Sequence, residues 1–409
     1  MNLIELRSYR SLWQALVVSF SLFIAATTAF GQTASRTEKQ PDSLSAAEFT
    51  RLINDLSEEG GSFPSDNFTS NESSYLKVVS KLRQLDATGG AYIGVGPEQN
   101  FSYIARIRPR IAFIVDIRRQ AIIQHLMYKA IFQLAPTRLQ FLSLLFSKPL
   151  PHESRAHLSP RKVPTPNDPV TDFMSFFSNV PTDEKAYSDN LAAIKKMIRE
   201  DLKFPLDATD ETTLVYVYNS FRTNGLEIGF RLNGRRDGGG LVGGRFSGGM
   251  GTFPTFIDLM IETDSSGKRC SFLASEEDFD FVRSLHRKNL IIPVVGDFAG
   301  KKALAAVGDY LRKYNYTVTA FYTSNVEMVL FRGGIFDGFA NNVKKLPVND
   351  RSLIIRAVFS RYEHPARLTD YGTFTLLQQI PVFLRDFDEG IYKSYTDLIN
   401  THYIPAEKP

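Results

Sequence analysis

The hydrophobic positions of this chain fall into two rhythms, and their alternation predicts the fold. Short apolar or alternating runs occur at Ala91–Val95, Ile111–Val115, Leu290–Val295, Thr317–Tyr322, Ser352–Phe359 and Thr373–Gln379. Runs of that length read as strands, and the unbroken ones as strands buried on both faces. Thr213–Tyr218 alternates in the manner of a further strand. Other stretches carry apolar residues three and four apart. Gln120–Leu134 is the clearest, with Ile122, Ile123, Leu126, Met127, Ala130 and Ile131 on helical spacing, and Arg138–Phe146 continues as another apolar helix. Ser275 caps a helix running to about Arg287, and Lys301–Tyr314 reads as one more. Strands separated by helices predict an α/β fold that is Rossmann-like, with a mostly parallel, doubly wound sheet and helices on both faces.

The first 74 residues stand apart from that pattern. Arg7 and Arg10 precede Leu12–Ala29, an apolar run broken by Gln14, Ser19 and Ser21. Ala29-Phe30-Gly31 then supplies small residues where a signal peptidase needs them. Residues 1–31 therefore read as an export signal, placing the protein in the periplasm or outside the cell. The alternative is an uncleaved anchor over residues 12–30, the one way in which a membrane becomes a partner. Residues 32–74 form a polar N-terminal segment with one helix. Gln32–Ser43 reads as disordered, Ser45-Ala46-Ala47-Glu48 as a capping box opening a helix to about Leu56, and Gly60–Ser73 as a loop. Residues 75–400 then form a single Rossmann-like domain, entered by a helix over Tyr75–Leu85 and including another over Ala186–Leu202. Six prolines make 148–169 a surface excursion, and 233–251, NGRRDGGGLVGGRFSGGMG, is a Gly-rich loop. With Arg235, Arg236 and Arg245 it reads as a flexible surface tract, the functional alternative being a mobile lid or an anion cradle.

Composition narrows the functional classes. At 43% hydrophobic and 22% charged residues, the chain is an ordinary globular protein with material for a sizeable core. The formal net charge is only +4, and no basic arm or stripe is visible, so nucleic acid is not an expected partner. Cys270 is the single cysteine, which excludes an internal disulfide and reads as a spectator thiol. No His, Asp and Glu grouping has zinc spacing, so no metal is expected. There is no Gly-x-Ser-x-Gly elbow, no Walker loop and no nucleophile with a paired base. His125, on the face of an amphipathic helix, reads as a packed residue.

In doubly wound sheets ligands sit outside the carboxyl ends of the strands, which selects candidate residues. Gly94, Gly96 and Glu98 follow the first strand, and Asp116, Arg118 and Arg119 the second. Asp297 follows a later strand, and Tyr322, Ser324, Asn325 and Glu327 the next. Glycines let the backbone approach a ligand, and an acidic residue about twenty positions on receives ribose hydroxyls. Four polar strand ends suggest one crevice holding a small molecule. Each member has a plainer alternative. The glycines make a turn with positive φ, Asp116 pairs with Arg118 or Arg119, Asp297 caps a helix, and Asn325 and Glu327 are turn and surface residues. Gln99 replaces the third glycine of the dinucleotide fingerprint, Pro97 lacks an N–H, and Glu98 would repel a pyrophosphate. These departures disfavour NAD and FAD but are tolerable for a ligand without phosphates, such as S-adenosylmethionine.

Three segments, AYIGVGPEQNFSYIARIRPRIAFIVDIRRQ, NLIIPVVGDFAGKKALAAVGDYLRKY and TVTAFYTSNVEMVLF, resemble an uncharacterised family of bacterial proteins with a methyltransferase-like Rossmann domain. The TFPTFIDLM and FLASEEDFDFV segments are similar to it too, and the likeness covers most of residues 75–385. The resemblance implies the fold of class I S-adenosylmethionine-dependent methyltransferases. It places Gly94 and Gly96 in the methionine-side loop, Asp116 on the ribose, and Asp297 after the fourth strand as a substrate contact. It assigns no catalytic residue. Export and this cofactor conflict, because S-adenosylmethionine is made in the cytoplasm. The alternative is a non-catalytic exported module for a small polar ligand or a protein partner.

Overall fold

The computed structural model describes residues 38–151, 162–232 and 253–406. Residues 1–31, read from sequence as an export signal, and the Gly-rich stretch 233–251 lie outside the described residues, as does 152–161 of the Pro-rich excursion. No described helix is long and apolar enough to cross a membrane.

The strands are β1 (Ser65–Asp66), β2 (Ala91–Gly94), β3 (Ile111–Asp116), β4 (Arg231–Leu232), β5 (Ile291–Val295), β6 (Val318–Ser324), β7 (Leu353–Phe359), β8 (Thr373–Gln379) and β9 (Ile404–Pro405). Seven of them form an open sheet in the order β5-β3-β2-β6-β7-β8-β9, and β1 pairs with β4 separately. The first five in that order are parallel, while β7/β8 and β8/β9 are antiparallel. The architecture is the mostly parallel, Rossmann-like α/β sheet expected from the sequence. β2, β3 and β5 are buried along their whole length, which is why they read as unbroken apolar runs. From the central β2 the chain builds outward through β3 to β5, then returns to lay β6 on the other side of β2. Strand order therefore reverses between β2 and β6, the position where such sheets open a crevice.

The helix Arg119–Leu134 is buried nearly all round. A helix apolar on every side needs cover on every side, and the helices Arg138–Phe146 and Ala208–Asn224 pack on it within the long segment between β3 and β5. Thr213–Tyr218 corrects one expectation, because it is the middle of the helix Ala208–Asn224. Its β-branched and aromatic residues mimic a strand. The buried set, however, is Leu214, Val217, Tyr218 and Phe221, at helical spacing, with Tyr216 exposed. Asp207 caps the start by accepting from the Asp210 N–H. The correction moves the strand count. Leu290–Val295 holds the third parallel strand, at the sheet edge beside β3, and β6 is the fourth. The position after the fourth strand thus belongs to Asn325, with Ser324 the last residue of that strand, and not to Asp297.

The open edge at β5 is covered by the helix Ala46–Leu56, whose predicted capping box is present. Ser57 Oγ accepts from the Val295 N–H at 3.0 Å, and the Glu58 N–H donates to Val295 O at 3.0 Å. Covering an edge strand blocks its pairing with another chain.

One ion pair lies wholly inside the core. Arg356 on β7 donates to both carboxylate oxygens of Glu327 (2.7 and 3.0 Å) and to Gln378 Oε1 on β8 (2.9 Å). Arg356 is 0% and Glu327 1% exposed. Removing one partner strands a buried charge, at a cost of about 3–5 kcal/mol. Arg356→Met is therefore expected to lower the urea midpoint sharply, and Arg356→Met with Glu327→Leu to recover much of the loss. Additive losses in the double variant would contradict this reading.

Candidate functional site

The bend after β2 is shaped by a polar side chain of the protein itself. Asn100, in the first turn of the helix Gln99–Ile107, donates through Nδ2 to the carbonyls of Val95 (3.0 Å), Gly96 (3.0 Å) and Pro97 (2.8 Å). Its Oδ1 accepts from the Tyr92 hydroxyl at 2.9 Å. His125 Nε2 donates to Gly96 O at 2.9 Å. Gly96 has φ +79°, a left-handed conformation that favours glycine. Gly94 is a glycine for another reason. A Cβ there would stand 2.0 Å from Asn100 Oδ1, so the residue makes room for the staple.

A cavity of about 200 Å³ opens at the carboxyl ends of β2, β3, β5 and β6. Gly96, Pro97 and Gln99 form one wall, Asp116 and Arg118 the next, Asp297 and Phe298 a third, and Ser324 and Asn325 the fourth. Phe63, Phe230, Phe298, Val329 and Leu330 make most of the lining apolar.

The roof is the segment read from sequence as a loop within a separate N-terminal portion. Residues 57–72 cross the carboxyl ends of β5, β3, β2 and β6. The Glu58 carboxylate accepts from the N–H groups of Asp297 and Lys302, both at 2.9 Å. The Gly61 N–H donates to Ile117 O at 2.8 Å, and Ser65 O accepts from Arg118 Nη1 at 3.0 Å. Asp66 accepts from Gln120 at 3.0 Å and from the Tyr216 hydroxyl at 2.7 Å. Asn71 Oδ1 accepts from Asn325 at 3.3 Å. Glu72 Oε1 accepts from the Tyr322 hydroxyl at 2.5 Å and from the Ser324 hydroxyl.

Of the residues singled out from the sequence, Gly96, Asp116, Arg118, Asp297, Ser324 and Asn325 line this cavity. Gly94, Glu98, Tyr322 and Glu327 do not. Asp116 is held by Arg118, whose backbone N–H and Nε both donate to Oδ1 at 3.0 Å and whose Nη2 donates to Oδ2 at 2.9 Å. Three of about four acceptor positions are thereby taken, leaving room for one further donor. Asp297 Oδ1 accepts from the Ala299 N–H at 2.9 Å, so it stabilises a turn ahead of the next helix. Glu327 points into the core, as described. Arg119 is turned to Asp210, with which it forms a two-pronged pair.

Glu98 is fully buried, accepts from the Ser70 N–H at 3.3 Å, and has no partner for Oε2. Burial pushes its pKa up to about 8. It is therefore protonated at neutral pH, and the repulsion of an anion expected from its place near a helix start does not arise. Burial likewise pushes Glu72 up to about 7, against the lowering effect of the Ser324 and Tyr322 hydroxyls. His125 is packed edge-on against Phe101 and pushed by burial down to about 4, so it is neutral. Cys270 is buried, and burial raises its thiol to about 12, far from a reactive thiolate. Among the described residues, no group of three His, Cys, Asp or Glu side chains is placed to hold a metal.

The residues missed from sequence include Phe63, Asn67, Asn71 and Glu72 of the roof, together with Gln99 and Phe230. The stretch FPSDNFTSNESS is dense in side-chain amides and hydroxyls. It follows no strand of the main sheet, so the strand-end rule could not select it.

Glu72 and Glu98 both bind their protons more tightly in the folded than in the unfolded chain. Their contribution is full below the ordinary value of 4.5 and is lost as pH rises towards about 7 and about 8. Glu98→Gln is expected to lose less stability than the parent between about pH 5 and about pH 8, read from urea midpoints. An equal loss in both proteins would contradict this reading.

A family described as a domain of unknown function, DUF7790, matches residues 67–200 and 189–402. Its description names no methyltransferase. No curated protein matches the chain. The two matched stretches run from Asn67 in the roof to His402, well over half of the sequence, and take in the main sheet except β9 and all four walls of the cavity; the chain belongs to the DUF7790 family.

Proposed function

We propose that the crevice is a binding site for a small nucleoside-type ligand, with S-adenosylmethionine or its demethylated product as the leading candidate. One observation carries the reading. Gly96, at its positive φ, and Asp116 line the same cavity, beside the point where strand order reverses. The apolar lining suits a planar base, and Asp116 keeps one acceptor position for a sugar hydroxyl. The volume of about 200 Å³ lies below the roughly 300–1,000 Å³ of sites for drug-sized ligands, so a whole S-adenosylmethionine molecule requires the roof to lift.

The occupancy of Asp116 by Arg118 favours a second reading, a non-catalytic module that binds a small polar ligand without transferring a methyl group. The sequence of residues 1–31 supports export, and an exported protein would meet a ligand other than S-adenosylmethionine. Mass analysis of the mature N-terminus decides the compartment: a start near Gln32 supports export, and retention of Met1 without membrane association overturns it.

A ligand that binds only the native state raises its melting temperature, by about 2.7 kcal/mol of stability at a hundredfold excess over Kd. S-adenosylmethionine, S-adenosylhomocysteine or adenosine at millimolar concentration is expected to raise Tm by several degrees. Asp116→Asn, which keeps the side-chain shape, is expected to abolish the shift. No shift with any of the three would overturn the nucleoside reading, and a different molecule retained through purification would support the second.

A further inference from the structure

We propose that Ser324 and Glu72 form a nucleophile–base pair facing the cavity, and that the protein hydrolyses a small uncharged ester there. This proposal does not depend on the nucleoside reading.

The sequence offered no such pair because its two members are 252 positions apart. In the folded chain the Ser324 hydroxyl donates to Glu72 Oε1, and the same oxygen accepts from the Tyr322 hydroxyl at 2.5 Å. A nucleophile within hydrogen-bond reach of a base that a third group orients is the arrangement that activates a serine. Ser324 lines the cavity, whereas Glu72 is buried behind it with Oε2 unpartnered.

The backbone gives a second, independent sign. Ser324 has φ +55°, in the left-handed region that a serine rarely occupies. It stands at the turn from β6 into the helix Val326–Arg332. Conformations of this kind persist only where the surroundings impose them, and they gather at functional sites. A sharp strand-to-helix turn is also how hydrolases present a nucleophilic serine, although the flanking glycines of that motif are replaced here by Tyr322 and Val326.

The substrate class follows from the lining. Arg118 is paired with Asp116, and the walls are largely aromatic and aliphatic, which suits a neutral acyl group rather than an anion. Asn67, Asn71 and Asn325 supply amide groups for the developing oxyanion.

The step balances without a cofactor. Ser324 Oγ attacks the ester carbon while its proton passes to Glu72. The oxyanion collapses, the C–O bond to the alcohol breaks, and Glu72 returns the proton to the leaving alkoxide. Water then attacks the acyl-serine, gives a proton to Glu72, and releases the carboxylic acid as Ser324 recovers its proton. The sum is ester plus water giving acid plus alcohol.

Glu72 must be ionised to act as the base, and a pKa of about 7 suits that role near neutral pH. The titratable groups that feel its charge are Tyr92, Tyr103, Tyr322 and Tyr395, all held protonated by burial. The rate should therefore rise with pH through a single limb, about tenfold between pH 6 and pH 8.

A fluorophosphonate probe and p-nitrophenyl acetate test the proposal on the full chain. The probe is expected to add its mass at Ser324, and Ser324→Ala to lose both the label and the ester hydrolysis while still unfolding in one cooperative transition. Glu72→Gln, which keeps an acceptor for both hydroxyls, is expected to slow labelling at least a hundredfold. Should Glu72→Gln fail to fold, the pH profile of labelling in the parent protein decides. No label, a label elsewhere, parental labelling of Glu72→Gln, or a labelling rate flat from about pH 6 to about pH 8 would each overturn the proposal.

Discussion

The carboxyl end of this sheet is closed by backbone and side-chain hydrogen bonds from residues 57–72, and the rest of the site depends on that closure. Strand ends and helix starts present polar groups that must find partners when covered. Glu58 meets the N–H groups after β5, Gly61 and Ser65 meet the turn after β3, and Asn71 and Glu72 meet the end of β6. Packing alone would have filled the crevice with apolar side chains. A roof that presents serines and asparagines beside Phe63 instead leaves a cavity with a mostly apolar lining and a few polar groups.

That roof gives the buried carboxylates their character. Glu72, the last residue of the roof, and Glu98, beneath it, have no cationic side chain as hydrogen-bond partner among the described residues, and burial raises both towards or above neutrality. Asp116, only slightly less buried, is held by Arg118. One small region thus contains two carboxyls without a cation and one clasped by an arginine, distinguished by their partners rather than by depth. Carboxyls raised by burial, as Glu72 and Glu98 are, gather at functional sites, and structural ion-pair networks perturb titratable groups too. The Arg356–Glu327 pair in the core is an example of the second kind.

Much of the fold was legible because parallel strands buried on both faces leave continuous apolar runs. β2, β3 and β5 could be read directly, as could the capping box at Ser45 and the cap at Ser275. Thr213–Tyr218 misled because its residue types favour strands, while the periodicity that governs the helix emerges only over its full seventeen residues. Six of eleven candidate site residues came together at the cavity because the strand-end rule is geometric. Glu327 escaped it because the helix Val326–Arg332 turns that side chain back into the core. Gly94 escaped it because its space is taken by Asn100. The roof was illegible for a different reason: its partners are distant in sequence, and no local pattern encodes a contact between Glu72 and Ser324.

The account rests on a cavity that a ligand enters beneath residues 57–72. Hydrogen exchange on the full-length protein, with and without saturating S-adenosylhomocysteine, tests this most directly. The account predicts slower exchange in residues 61–72, in the bend at 95–99 and at 117–118 when the ligand is present. Unchanged exchange in those three places, whether or not other regions respond, would contradict it.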